Sequence, residues 1–313
     1  MNRLISQEDL PDTLWCSVNS EMLLPDKLVS SWLQLLKDNG LEDLAKTSAE
    51  KGFIGGISQE DTNKHLAWRY NGSCARVILS MLDPHHELTD VSNAYAKLFA
   101  GNRVFLADIP SGSGAAAISI LCTFAELRKK NVLPRYPLEV VIVAGEISQF
   151  ALDYYEKQLL FITPILAEQA IKIVGSSFVR WDILSKQSTT ALIREMTVKS
   201  IDCQSRMLVV CNFSGFLASD SGRWKKSTER LEEIFRHSTD DNSAVIWIEP
   251  QTNNVTSFFS KLKDWFSSKL DYLMPNQQKT EQLNSTAMCK QSLIEGVFRV
   301  QLSVHRFDLP RNN

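Results

Sequence analysis

The sequence predicts an α/β protein: a doubly wound, mostly parallel sheet preceded by an N-terminal helical extension. Three observations lead there. After Gly101, short apolar runs alternate with stretches of helical spacing. The runs are apolar on both faces, as in Val140-Val141-Ile142-Val143-Ala144, which is what strands covered by helices on both sides require. The first run, Val104-Phe105-Leu106-Ala107, leads through a glycine loop into an alanine-rich helix, and right-handed crossovers of this kind build a layered sheet.

The elements follow in order. Residues 1–100 read as a helical extension that forms a lid. Leu28, Trp32, Leu35 and Leu36 share one face of a helix over Leu23 to Lys37. A second helix spans Lys64 to Leu82 and is closed by Pro84, and a third spans Leu88 to Phe99. Residues 101–313 read as a Rossmann-like domain. Its strands are Val104 to Ala107, Val140 to Ala144, Ala170 to Val174, Met207 to Cys211 and Ala244 to Ile248. Helices cover Ala115 to Lys130 and Phe150 to Phe161. Asp271 to Gln291 is polar and reads as a loop. Gly296 to Val304 alternates at period two and reads as a final antiparallel strand at the C-terminal end of the sheet.

Bulk properties narrow the function classes. The chain has 313 residues, 44% hydrophobic and 22% charged, the balance of a globular protein with a sizeable core. Its net charge of −2 gives no global attraction to nucleic acid. The clusters Arg128-Lys129-Lys130 and Arg223 with Lys225-Lys226 read as solvated surface. The cysteines Cys16, Cys74, Cys122, Cys203, Cys211 and Cys289 show no CxxC spacing, so no metal-ligand set is expected. Met1 to Leu10 is polar and no apolar stretch is long enough to span a bilayer, so a reducing, cytoplasmic setting and no membrane partner are expected.

The loop Asp108-Ile109-Pro110-Ser111-Gly112-Ser113-Gly114 carries the most information. In an open α/β sheet, ligands sit outside the carboxyl ends of the strands. Gly112 and Gly114 lack Cβ atoms, so the backbone can turn tightly and approach a ligand. The helix from Ala115 then offers free N–H groups. A tight turn without ligand is the alternative. Gly112 to Ala117 also fits the relaxed dinucleotide pattern GxGxxA. Two details count against NAD. Asp108 precedes the glycines, where it would face a pyrophosphate. The next strand-end acid, Glu146, lies 32 residues after Gly114 rather than about 20 on.

Asp108 to Gly114 resembles motif I of the class I S-adenosylmethionine-dependent methyltransferases, an acid followed by Gly-x-Gly. Pro110 stands where many members have glycine. The resemblance implies a seven-stranded, mostly parallel sheet and S-adenosylmethionine as cofactor. It implies that Asp108, Pro110, Gly112 and Gly114 meet the amino-acid part. Glu146, with Ile147 beside it, would take the ribose hydroxyls, for which a carboxylate offers two acceptor oxygens. Asp182, with Ile183, would take the adenine amine. Asn212 and Phe213, after the fourth strand of the domain, would line the methyl-transfer site. The Asn-Pro-Pro-aromatic tetrad of base amino methylation is absent, since no proline follows Asn212. Glu249-Pro250 resembles methyltransferases similar to the mitochondrial small-ribosomal-subunit type, and Ala67 to Arg76 is similar to that group's helix before the domain. RNA, protein and small molecules all remain open as acceptors, and the oligomeric state is unread.

Other chemistry is less supported. His85-His86 reads as a surface loop. Ser111 and Ser113 do not satisfy GxSxG, and no lysine completes a P-loop. Trp32, Trp68, Trp181, Trp224, Trp247 and Trp265 are scattered and read as core or rim. Two rival functions stand beside methyl transfer: a catalytically silent member of the fold serving as a nucleotide-binding or interaction module, and a nicotinamide-dependent dehydrogenase.

Overall fold

The computed structural model describes residues 3–50, 56–270 and 282–310. The α/β part begins with β3 (Arg103–Asp108), α6 (Ala115–Lys129), β4 (Leu138–Glu146), α7 (Gln149–Glu168), β5 (Ile171–Arg180) and α8 (Lys186–Lys199). It continues through β6 (Ser205–Cys211), α9 (Ser214–Ala218), α10 (Ser221–His237), β7 (Ser243–Pro250), α11 (Asn253–Leu270), β8 (Leu283–Lys290) and β9 (Val297–Asp308). Before it stand β1 (Trp15–Cys16), β2 (Glu21–Met22) and the helices α1 (Asp26–Asp38), α2 (Glu42–Lys46), α3 (Gln59–Trp68), α4 (Tyr70–Leu82) and α5 (Thr89–Leu98).

Among the described residues, nine strands form one sheet in the order β1-β2-β8-β9-β7-β6-β3-β4-β5. β5, β4, β3, β6 and β7 are mutually parallel, and β9 runs antiparallel to both β7 and β8. The doubly wound dinucleotide fold orders its six strands 3-2-1-4-5-6. Here the last strand is slipped, reversed, between the fifth and sixth strands of the domain. This is a class I methyltransferase-like fold: seven strands, mostly parallel, with the extension adding β1 and β2 at one edge.

The both-face apolar strands divide their side chains by the period of two. Val104 and Leu106, then Val140, Ile142 and Ala144, face one core with α1, α4, α5, α6 and α7. Phe105, Ala107, Val141 and Val143 face the other with α8, α10 and α11. The N-terminal helices therefore bury their apolar faces in the first of these cores: Trp32, Leu66 and Ile78 belong to it with the sheet residues.

Two expectations change. The single helix over Lys64 to Leu82 is two helices meeting at Arg69, whose φ of −114° departs from helical values. The polar stretch Asp271 to Gln291 is not all loop: Leu283–Lys290 is β8, while 271–281 lie outside the described residues. The strand escapes a hydrophobicity reading because its inward positions are the small Ser285, Ala287 and Cys289, each under 5% exposed. The final antiparallel strand forms as expected but sits inside the sheet.

Gln158 on α7, 1% exposed, joins the extension to the glycine loop. Its Nε2 donates to the Ser113 carbonyl at 2.7 Å, and its Oε1 accepts from Tyr70 Oη on α4 at 2.8 Å and Ser31 Oγ on α1 at 3.1 Å. Gln158→Leu keeps the volume but strands the Ser113 carbonyl and the Tyr70 hydroxyl, each costing about 1–3 kcal/mol, while Ser31 Oγ keeps its bond to the Leu28 carbonyl. A loss of roughly 3 kcal/mol in urea unfolding with an unchanged m-value is expected. A loss under about 1 kcal/mol would show that these bonds do not hold the extension to the loop.

Candidate functional site

The carboxyl ends of β3, β4, β5, β6 and β7 carry Asp108, Glu146, Arg180, Cys211 and Pro250. Backbone bonds continue across these ends beyond the strands. Ile109 N donates to the Val209 carbonyl, Ser111 N to Gly145, Trp181 N to Glu146 and Asn212 N to Ile248, all at 2.8–3.0 Å. The loops leaving the strands are thus fixed at their roots, and a ligand would meet a preformed surface.

The two loop glycines do different work. Gly114 has φ +84°, and a Cβ there would come within 2.3 Å of the Tyr155 ring on α7. It is glycine so that the loop can lie on α7. Gly112 has φ +51°, and a Cβ there would meet nothing within 4 Å. The space above Gly112 is open, as a ligand-facing backbone needs. The Ile109-Pro110 bond is cis, and Pro110 is half-buried.

Asp108 has no exposed surface. Its Oδ2 accepts from Ala117 N at 3.2 Å in the first turn of α6. Its Oδ1 is buried with no hydrogen-bond partner among the described residues. Burial, and secondarily the Glu146 charge, push its carboxyl well above the usual range, against the pull of the Ala117 N–H. The Tyr155 hydroxyl, also buried without such a partner, interacts with the same carboxyl. Asp108 thus sits beneath the loop as a buried carboxyl whose charged form is disfavoured, where the resemblance implies direct contact with a cationic group.

Glu146 reaches the loop from β4. Its Oε2 accepts from Gly112 N at 2.9 Å, and its Oε1 from Ile147 N at 2.8 Å and Ser148 N at 3.1 Å. Burial raises its pKa, and these three N–H groups counter the rise. A carboxylate offers about four lone-pair sites, so one acceptor direction on Oε2 is left. Glu146 and Ile147 are both half-buried at the carboxyl end of β4.

Asp182 is held close to Glu146 by the Trp181 N–H bond to the Glu146 carbonyl. Its Oδ1 accepts from Leu184 N at 2.9 Å. Ile183 is 3% and Trp181 2% exposed, both inside the second core, whereas Leu184 is 39% exposed. The apolar side chain that reaches the surface at this strand end is Leu184, which the sequence reading did not single out.

At the end of β6, Asn212 is exposed with φ +56°. Its Nδ2 donates to Ser73 Oγ at 3.0 Å, and its Oδ1 accepts from Arg76 Nη2 at 2.9 Å. Phe213 is 7% exposed and packs against Trp181 and Phe216, with ring centroids 6.1 and 5.5 Å away. Glu249, 1% exposed, anchors this loop: Oε1 accepts from Phe213 N, Ser214 N and Trp247 Nε1, and Oε2 from Ser214 Oγ, all at 2.8 Å. The structure thus brings Gly112 against Glu146, and the Trp181 N–H bond brings the start of the Asp182 loop to the same strand end; Asn212 lies at the end of β6, and Asp108, Ile183 and Phe213 are buried. Ser73, Arg76, Tyr155 and Gln158 were missed. Arg76 left a readable trace, a single charge inside Cys74-Ala75-Arg76-Val77-Ile78-Leu79.

Among the described residues no cluster of His, Cys, Asp and Glu could hold a metal, and no helix is long and apolar enough to cross a membrane. His85 and His86 are exposed.

Two outcomes test this geometry. Gly114→Ala should lose more than about 3 kcal/mol of unfolding free energy, from the ring clash and the left-handed backbone, and Gly112→Ala only about 1 kcal/mol from the backbone. Equal losses would refute the division of labour. The second concerns pH. A carboxyl whose folded pKa is raised contributes stability below its unfolded pKa, for Asp108 near 3.8, and loses it as pH rises through the folded value. Urea midpoints from pH 4 upward should therefore fall for wild type relative to Asp108→Asn. A constant difference would show that Asp108 is not strained by its charge.

No family model and no curated protein sequence matches the chain. Solved structures align with it at low identity. A Listeria monocytogenes protein described as a class I S-adenosylmethionine-dependent methyltransferase is 9% identical, over 93% of this chain and 88% of that one, with a TM-score of 0.37. A Plasmodium falciparum protein described as a protein-L-isoaspartate O-methyltransferase, solved with S-adenosyl-L-homocysteine, is 12% identical over 90% and 98%, with a TM-score of 0.29. A protein from a study of disulfide-to-thioacetal conversion in echinomycin biosynthesis is 11% identical over 68% and 78%, with a TM-score of 0.37. At these scores none of them informs on activity. The chain's own strand order, its reversed strand and its glycine loop identify its fold as that of the class I S-adenosylmethionine-dependent methyltransferase superfamily.

Proposed function

We propose that the protein binds S-adenosylmethionine at the strand ends and transfers its methyl group to an acceptor, RNA, protein or small molecule. The observation that carries this reading is the pairing of Gly112 with Glu146: an open-faced backbone beside a carboxylate with one acceptor site to spare. Those residues fit the cofactor. Gly112 lets the loop approach closely, Glu146 takes a ribose hydroxyl, and Asp182 takes the adenine amine. A cation arriving above Asp108 would favour the charged form of that carboxyl, which burial otherwise disfavours. When bound, the cofactor supplies a methyl group already activated by the positive sulfur. The chain's own contribution is then orientation, the root of most of the rate gain expected for such a transfer. The fixed roots of the loops and the Glu249 anchor provide it at Asn212.

One observation favours a catalytically silent binding module instead. Both polar atoms of the Asn212 side chain are engaged by Ser73 and Arg76, so Asn212 meets an acceptor only with capacity left over.

Calorimetry separates the readings. S-adenosylmethionine and S-adenosylhomocysteine should bind and NAD should not. Glu146→Ala should weaken both sulfur ligands by about tenfold or more, the worth of a charge-assisted hydrogen bond, while His86→Ala binds as wild type. NAD binding without either sulfur ligand would overturn the proposal in favour of a dehydrogenase. Tight binding with no methyl transfer to any acceptor class would favour the silent module.

A further inference from the structure

Arg76 is the one charged residue of α4 (Tyr70–Leu82). Its neighbours Cys74, Ala75, Val77, Ile78 and Leu79 have no exposed surface, yet Arg76 itself keeps some, at the end of β6. Its hydrogen-bond partners among the described residues are neutral: Asn212 Oδ1 at 2.9 Å and Ser73 Oγ at 3.4 Å. Its Nε is buried with no partner among those residues. Glu249, the acid whose field reaches it, has both oxygens taken by Phe213, Ser214 and Trp247. A desolvated guanidinium without a contacting carboxylate is costly, and proteins keep such groups where a ligand supplies the anion. The planar fork suits a carboxylate or phosphate, two parallel N–H bonds at once.

We propose that Arg76, set against Asn212, receives an oxyanion of the methyl acceptor, a carboxylate or phosphate group. This rests on the methyl-transfer reading above. Position favours the acceptor over the cofactor's own carboxylate tail. The acids that would hold the cofactor lie on β3, on β4 and in the loop just after β5, whereas the groups Arg76 feels electrostatically include Cys211 on β6 and Glu249 on β7. A positive sulfur and a guanidinium also repel one another unless an anion is placed between them.

The test uses the full chain, with Arg76→Met and Arg76→Lys beside wild type. Inorganic phosphate and acetate serve as probes, with chloride at matched ionic strength as control, and melting temperature is read with and without S-adenosylhomocysteine. Phosphate or acetate should stabilise wild type, Arg76→Lys less, and Arg76→Met not at all. No anion effect on wild type, or an equal effect on Arg76→Met, would overturn the proposal. A second arm compares S-adenosylhomocysteine with 5′-methylthioadenosine, which lacks the carboxylate. Their affinity ratio should be the same in wild type and Arg76→Met within about twofold. Collapse of the ratio in Arg76→Met would assign Arg76 to the cofactor tail and overturn the acceptor assignment. If neither nucleoside binds, the methyl-transfer reading fails, while Arg76-dependent anion stabilisation still supports an oxyanion site.

Discussion

The Gly112 N–H bond to the Glu146 carboxylate ties the loop after β3 to the end of β4, and the cleft takes its shape from that link. The same loop is held on either side of Gly112 by the Ser111 N–H bond to Gly145 and the Gln158 bond to the Ser113 carbonyl. The bond to Glu146 holds the open face of Gly112 beside an acceptor oxygen. The same carboxylate also takes the N–H groups of Ile147 and Ser148 at the entry to α7. One side chain therefore positions a loop, a helix start and a potential ligand contact. Gln158 repeats the arrangement one layer further out, holding the Ser113 carbonyl while taking hydroxyls from α1 and α4.

Charge is distributed unevenly around the cleft. Asp108, Glu146 and Glu249 are all raised in pKa, each first by burial. Glu249 has its charge answered by four donors, whereas Asp108 has one oxygen unanswered. Arg76, bonded to Asn212, has its pKa lowered by burial, and the Glu249 charge works against that fall.

The fold was legible where the physics is local. Strands apolar on both faces, and glycines between a strand and a helix, announce themselves in residues 104–144. The boundaries were short because strand ends are polar: β5 runs on to Arg180 through Gly175, Ser176 and Ser177, which carry no apolar signal. β8 was invisible because its buried positions are small. At the site, acids at strand ends were readable from order alone. Which of them face the cleft was not, because burial is decided by neighbours far apart in sequence. Asp108 is covered by α6 and its interaction with Tyr155 on α7, and Ile183 and Phe213 are drawn inward by the aromatic packing around Trp181. Arg76 illustrates the same limit, since its meaning depends on Asn212, 136 residues away.

The reversed strand β9 has a consequence for synthesis. β7 has β6 on one side and β9 on the other, and β2 joins the sheet only through β8. As the chain emerges from the ribosome, the edge of β7, with the large Trp247 side chain on it, stays unpaired until Val297–Asp308 arrives. The strand near the amino end likewise waits for Leu283–Lys290. An open central edge is a template for pairing with other chains. The nascent protein therefore carries an open edge from the translation of β7 until β9 emerges, an interval in which a chaperone would shield it.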